Sequence, residues 1–153
     1  MIRLLEINEQ NWMEIARLSV SDEQQGFLDR PIGIIARGYV YRHYNARVIA
    51  IADELHIIGV ALVRDLDEEP ACYDLQQFMI DKRFQNKGYG TEALKLILQM
   101  LKEERHYECV EVCVDKKDLP ALRVYEKVGF TDTGYIDASL PNHLNLMYFF
   151  GKH

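Results

Sequence analysis

The stretch Phe78-Met79-Ile80-Asp81-Lys82-Arg83-Phe84-Gln85-Asn86-Lys87-Gly88-Tyr89-Gly90-Thr91 has the residue types and spacing of an anion-binding turn. An apolar run ends, a basic polar turn follows, and two glycines open an amphipathic segment. Glycines at the start of a helix let successive backbone N–H groups converge without interference from a Cβ. With the helix dipole they form a site suited to phosphate. Lys82, Arg83 and Lys87 add positive charge in a chain that is acidic elsewhere. A glycine-rich connection that binds nothing has the same composition. Gly88-x-Gly90-x-x-Ala93 also satisfies the dinucleotide fingerprint in form, with Asp115 near the expected distance. Against that, seven residues separate Ile80 from Gly88, where the fingerprint wants a tight turn. No Gly-Lys-Ser/Thr triplet is present, so a P-loop is excluded.

The rest of the chain must position that turn. Its 153 residues suit one domain, 48% are hydrophobic and 27% charged, and a chain of this size buries enough surface to need no disulfide or metal staple. Eighteen Lys and Arg against 24 Asp and Glu give a net charge of −6, the wrong sign for a general nucleic-acid binder. The first residues lack the pattern of a secretory signal, and no apolar run approaches the ~20 residues of a membrane span. The expectation is a single cytoplasmic domain over residues 1–153, without membrane or nucleic-acid partners. Cys72, Cys109 and Cys113 lack Cys-x-x-Cys spacing and read as small buried apolar residues. The five histidines show no metal-ligand spacing, so no metal is expected.

The periodicities predict an order β-α-α-β-β-β-α-β-α-β-β. Ile2 to Ile7 is a short strand, and Asn8 caps a helix with apolar positions Trp12, Ile15, Ala16 and Val20. A second helix runs from Pro31 to about Tyr41, weakened by Gly33 and Gly38. Strands follow at Arg47 to Ala52, His56 to Arg64 and Cys72 to Ile80. A long helix spans Gly88 to Glu104, with Ala93, Leu94, Ile97, Met100 and Leu101 in one stripe. Glu108 to Val114 is a strand, Asp118 to Val128 a helix stopped by Gly129, and Phe130 to Ile136 pairs with His143 to Phe150. The fold class is α+β, a mixed and mostly antiparallel sheet of about seven strands flanked by about four helices.

Gln85-x-x-Gly88-x-Gly90 resembles the Gln/Arg-x-x-Gly-x-Gly/Ala pyrophosphate loop of the GNAT superfamily of N-acetyltransferases. Downstream, Asp118-x-Pro120-Ala121-x-x-x-Tyr125-Glu126-Lys127-Val128-Gly129-Phe130 is similar to that family's Asn-x-x-Ala-x-x-x-Tyr-x-x-x-Gly-Phe segment. The two together, at this separation and in this element order, cover nearly the whole chain. Within the superfamily, Val20-Ser21-Asp22-Glu23-Gln24-Gln25-Gly26-Phe27 and Phe78-Met79-Ile80-Asp81 resemble bacterial spermine/spermidine acetyltransferases.

The resemblance implies acetyl-CoA as co-substrate and a small cationic amine, such as a polyamine, as acceptor. Backbone groups of the Phe78-Met79-Ile80 segment would pair with the pantetheine arm. Gln85, Asn86, Lys87, Gly88, Tyr89, Gly90 and Thr91 would hold the pyrophosphate, with Asp118, Ala121 and Lys127 contributing from the following helix. Asp118 departs from the family's Asn, so its charge would oppose phosphate unless Lys116, Lys117 and Lys127 offset it. The Ile80 N–H would stabilise the oxyanion, and Tyr125 would protonate the leaving thiolate. Many family members place a basic carboxylate where Gln76 stands here; glutamine cannot serve, which leaves Asp74 acting through water, or capture of the free amine. Asp22 and Glu23, with Gln76, are the expected acceptor contacts, and a homodimer is expected by analogy. The competing readings are another small amine or a protein amine as acceptor, a non-catalytic acyl-CoA-binding module, and a nicotinamide-binding protein.

Overall fold

The computed structural model describes residues 1–27 and 29–151, with the side chain of Glu23 outside the description. Seven strands form one sheet: β1 (Arg3–Glu6), β2 (Arg47–Ala52), β3 (Ile57–Leu66), β4 (Cys72–Ile80), β5 (Cys109–Asp115), β6 (Thr131–Asp132) and β7 (His143–Phe149). Their spatial order is β1-β2-β3-β4-β5-β7-β6. Every neighbouring pair is antiparallel except β4 with β5. Four helices complete the fold: α1 (Trp12–Ala16), α2 (Pro31–Val40), α3 (Tyr89–Glu104) and α4 (Leu119–Val128).

The helices divide between the two faces of the sheet. Ala93, Leu94, Ile97 and Leu101 of α3 and Leu122 and Tyr125 of α4 pack with Tyr73, Leu75, Val110 and Val112. On the other face, Ile15 of α1 and Ile34 of α2 pack against Val48, Ala50, Val60, Leu62 and Met79. Ile34 is fully buried, which removes enough apolar surface from water to contribute about 2 kcal/mol. The glycines that lower helix propensity in α2 permit close packing instead. A Cβ on Gly38 would stand 2.6 Å from Val48 Cγ2, and one on Gly33 would collide with the Asp29 carboxylate.

Two elements, α1 and β6, differ most from the periodicity reading. The first helix ends at Ala16 rather than reaching Val20, because the following backbone bonds elsewhere. Ser19 N–H donates to the Asp81 carboxylate at 3.0 Å, and Lys82 N–H donates to Ser19 C=O at 2.7 Å. Asn8 organises the turn before that helix, accepting from Gln10 N–H and Asn11 N–H, so that Asn11 is the flanking residue. The predicted strand Phe130 to Ile136 shrinks to Thr131–Asp132, since Asp132 accepts from Gly134 N–H and turns the chain there at φ 79°. Of the three cysteines read as buried, Cys72 and Cys109 are buried and Cys113 is exposed on β5. Among the described residues no helix is long and apolar enough to cross a membrane.

Candidate active site

The sheet is split where its single parallel pair should continue. β4 and β5 pair only at Tyr73 with Val110 and Asp74 with Glu111. Beyond that rung the strands part, so the second edge of β4 from Leu75 to Ile80 is unpaired with β5. Along a strand, backbone groups point alternately to the two sides. Asp81 N–H donates to Ile58 C=O of the β3 side, so Ile80 and Phe78 direct their N–H and C=O into the gap. Gln85 Nε2 donates to Ile80 C=O at 2.8 Å, while the Ile80 N–H remains directed into the gap.

β4 also carries a bulge. β3 residues Leu62 and Val63 face Gln77 and Leu75, so Gln76 is an extra residue with no opposite number. Asp74 and Gln76 therefore do not follow simple strand alternation. Gln76 Oε1 is buried and has no hydrogen-bond donor among the described residues. Asp74 accepts from Arg64 Nε at 3.0 Å, and that guanidinium lies 4.8 Å from the centre of the Tyr41 ring. Burial pushes the Asp74 carboxyl above its ordinary range, partly offset by Arg64. Arg64 thereby engages one oxygen of the Asp74 carboxylate.

The gap opens into a cleft of about 430 Å³. Phe78 and Ile80 line it from β4, Gln85, Asn86 and Gly88 from the turn, and Gly90 and Thr91 from α3. Gly88 takes φ 84°, Asn86 φ 62°, and a Cβ at Gly88 would meet nothing within 4 Å. This left-handed approach exposes the first-turn amides of Tyr89, Gly90 and Thr91, which carry no hydrogen bond among the described residues. Such amides at a helix start favour an anion. The turn is held by Asp81, which accepts from the Arg83 side chain at 2.8 Å and from the Arg83 and Ser19 amides. Burial alone would raise the Asp81 pKa; these bonds outweigh it and hold the carboxyl below its usual value.

From α4, Asp118, Ala121, Tyr125 and Lys127 line the same cleft. Asp118 caps the helix by accepting from Ala121 N–H at 3.3 Å, and burial raises its pKa. Tyr125 is 7% exposed, with its ring 6.3 Å from Phe78 and 5.3 Å from Phe130. Its hydroxyl has no partner among the described residues. Burial first, then the charge of Asp118, pushes its pKa far above the ordinary tyrosine value, so it stays a neutral donor.

Some expected residues stand outside the cleft lining. Met79 faces the α1 and α2 core, Lys87 Nζ lies 5.9 Å from the Phe84 ring centre, and Tyr89 packs near Phe84 at 6.4 Å. Asp22 is exposed in the short turn Asp22–Gln24 and accepts from Gln25 Nε2; the side chain of Glu23 lies outside the described residues. The neighbouring Gln24 lines the cleft instead and accepts from Gln85 Nε2 at 2.8 Å. Arg123, also overlooked in the sequence, lines it one turn before Lys127. The i,i+4 spacing of those two cations on α4 was the available signal; the Gln24–Gln85 pair spans 61 positions and left none.

On the face away from α3 and α4, β5 presents Glu111 and Cys113. Glu111 is half-buried; burial, then the charges of Asp74 and Glu68, raises its pKa. The Cys113 residue is exposed, but its thiol is partly shielded, and that shielding with Glu111, Asp74 and Asp137 pushes it up to about 11. Among the described residues no group of three or more His, Cys, Asp or Glu side chains is arranged to hold a metal ion.

Residues 12–130 match the acetyltransferase (GNAT) family. The spermine/spermidine N(1)-acetyltransferase of Bacillus subtilis is 24% identical over 130 residues, covering 85% of this chain and 78% of that protein. In structure, the chain resembles the spermidine N-acetyltransferase of Vibrio cholerae in complex with CoA and spermine. The TM-score is 0.74 at 13% identity, over 97% of this chain and 95% of that one. An aminoglycoside acetyltransferase in complex with coenzyme A matches with a TM-score of 0.75 at 14% identity, over 98% and 95%.

Proposed function

The chain belongs to the GNAT acetyltransferase family, an acetyl-CoA-dependent N-acetyltransferase, and we propose that its acceptor is a polyamine such as spermidine or spermine. The observation that carries this reading is the division of labour across the split sheet. One side of the gap offers unfilled helix amides with Arg123 and Lys127 beside Asp118; the other offers Glu111, Asp74 and Glu68, of which Asp74 holds Arg64. An anionic cofactor suits the first side and a polycation the second. The name of the Bacillus subtilis relative supports the same acceptor class.

In this mechanism the pyrophosphate rests on the amides at the start of α3. The pantetheine arm adds along the free edge of β4 as an extra strand, bonded to Phe78 and Ile80. The thioester then stands near Phe78, within reach of the Ile80 N–H, which receives the developing oxyanion. The amine nitrogen forms the C–N bond directly on the carbonyl carbon. As the C–S bond breaks, Tyr125 gives its proton to the thiolate; burial keeps the phenol neutral, so that proton is present when the thiolate forms. The cytoplasm and a homodimeric state belong to the same reading.

Thiol release from acetyl-CoA tests it, with spermidine and spermine compared against a no-amine control and against an aminoglycoside. Saturable release that depends on polyamine supports the proposal. Background release in folded protein, or release with the aminoglycoside alone, overturns the polyamine assignment.

A further inference from the structure

Glutamine at position 76 cannot take a proton, and Asp74 is already paired with Arg64, so β4 offers no carboxylate free of a cation. Spermidine nitrogens have pKa values near ~10 and arrive protonated at neutral pH. β5 supplies what β4 lacks. Glu111 is the register partner of Asp74 at the last rung before the strands part. Val110 and Val112 on either side of it point into the α3 and α4 core, so its carboxylate faces the opposite, acceptor side. Its one polar contact is the Cys72 thiol at 4.0 Å, and among the described residues it has no Lys, Arg or His partner. On β4, two residues beyond that rung and at the bulge, Gln76 Oε1 is buried without a donor among the described residues. Glu111 has no cationic donor and Gln76 Oε1 no donor at all among the described residues, and Gln76 lies on β4 between the last rung and Phe78; a group with several N–H donors suits both oxygens.

Resting on the acetyltransferase reading above, we infer that Glu111 is the base that takes the proton from the acceptor ammonium, with Gln76 Oε1 accepting a second N–H and orienting the nitrogen. One ammonium proton passes through water in the gap to the Glu111 carboxylate and from there to bulk water. The freed lone pair forms the C–N bond, the C–S bond breaks, and the thiolate takes the Tyr125 proton. The remaining excess nitrogen proton restores Tyr125, so the reaction yields acetylated amine, CoA thiol and one released proton. The groups facing Glu111 fit that role. Asp74 and Cys72 lie across on β4 with Arg64 behind Asp74, and Glu68 lies in the β3–β4 loop. Cys109 and Cys113 flank it on β5, and β7 opposes it with uncharged Met147. The neighbouring negative charges and partial burial both favour uptake of a proton.

The test is the pH profile of kcat/KM for spermidine at saturating acetyl-CoA, in the wild type, E111Q and E111D, with CoA-induced shifts in melting temperature as the control for folding and cofactor binding. With the base in place, the wild-type profile is flat from above the Glu111 pKa to the amine pKa. E111Q loses roughly 100-fold at pH 7, and its rate climbs about tenfold per pH unit as free amine becomes available. E111D recovers part of the rate and the flat profile. A deficit in E111Q that is constant with pH, or one smaller than about threefold, overturns the inference while leaving the polyamine reading intact. Wild-type protein without polyamine turnover overturns both. Should E111Q fail to melt cooperatively, E111D decides alone, and a free-amine slope in that variant would also refute the role.

Discussion

At the residue scale, the site depends on groups whose surroundings change their chemistry. Tyr125 is a neutral phenol inside an apolar wall, with no hydrogen bond to anchor its proton elsewhere. Tyr125→Phe removes the donor but keeps the ring contacts with Phe78 and Phe130, so the fold and CoA affinity should persist. Its kcat should fall by about 10², measured by single-turnover thiol release. Asp81 has a structural counterpart of this sensitivity. Its folded pKa lies below the unfolded value, so its stabilisation is present above about pH 4 and lost as pH falls through the folded pKa. Asp81→Ala should cost about 2 kcal/mol at pH 7, with the difference from wild type narrowing toward pH 3. Urea titrations at several pH values check it. These roles were unevenly legible in the sequence. The spacing from Asp118 to Phe130 picks out Tyr125, because a helix repeats that pattern locally. Glu111 carries no such mark; its lack of a cation partner depends on Arg64 choosing Asp74, a contact set by strand register.

Elements set the geometry. The close approach of α2 to the sheet rests on Gly38, and Gly38→Ala places a methyl group 2.6 Å from Val48 Cγ2. The gain in helix propensity of about 1 kcal/mol is outweighed by an overpacking cost of about 1–3 kcal/mol. A lowered melting temperature is expected. Gly88 behaves differently. A Cβ there meets nothing in the protein, so Gly88→Val should cost stability chiefly through φ 84°, about 1–2 kcal/mol. Its larger effect should be on acetyl-CoA, whose KM rises at least tenfold because the side chain enters the space above the helix amides; initial-rate kinetics distinguish the two. Strands β2 and β4 and the body of α2, α3 and α4 follow directly from apolar periodicity and glycine or proline punctuation. The end of α1 and the shortness of β6 do not. The first depends on the distant Asp81 claiming the Ser19 N–H, the second on a turn in which the Asp132 side chain accepts from Gly134 N–H. The bulge at Gln76 is likewise a property of two paired strands, invisible in either alone.

Across the whole molecule, the parting of β4 from β5 separates a cationic side from an anionic one within a chain of net charge −6. On the proposed polyamine reading, an acceptor bearing several positive charges is drawn to that second side over distances that salt screens. Raising ionic strength from about 0.05 to about 0.5 M should therefore increase KM for spermidine several-fold at saturating acetyl-CoA, with kcat little changed. A monoamine acceptor should respond less. The family was legible because its two motifs mark the ends of one cofactor site. The acceptor side was less so, because its carboxylates come from different strands and loops. Asp22, expected as an acceptor contact for its charge, is exposed outside the cleft lining, whereas Glu111 and Asp74 meet only through the parallel rung. The most direct test is a structure with CoA and spermine bound together. It should show the pantetheine bonded to Phe78 and Ile80 between β4 and β5, the thiol sulfur beside Tyr125, and a spermine nitrogen in hydrogen-bond contact with Glu111. A CoA bound outside the β4–β5 gap, or spermine held away from the Glu111 face, would contradict the account.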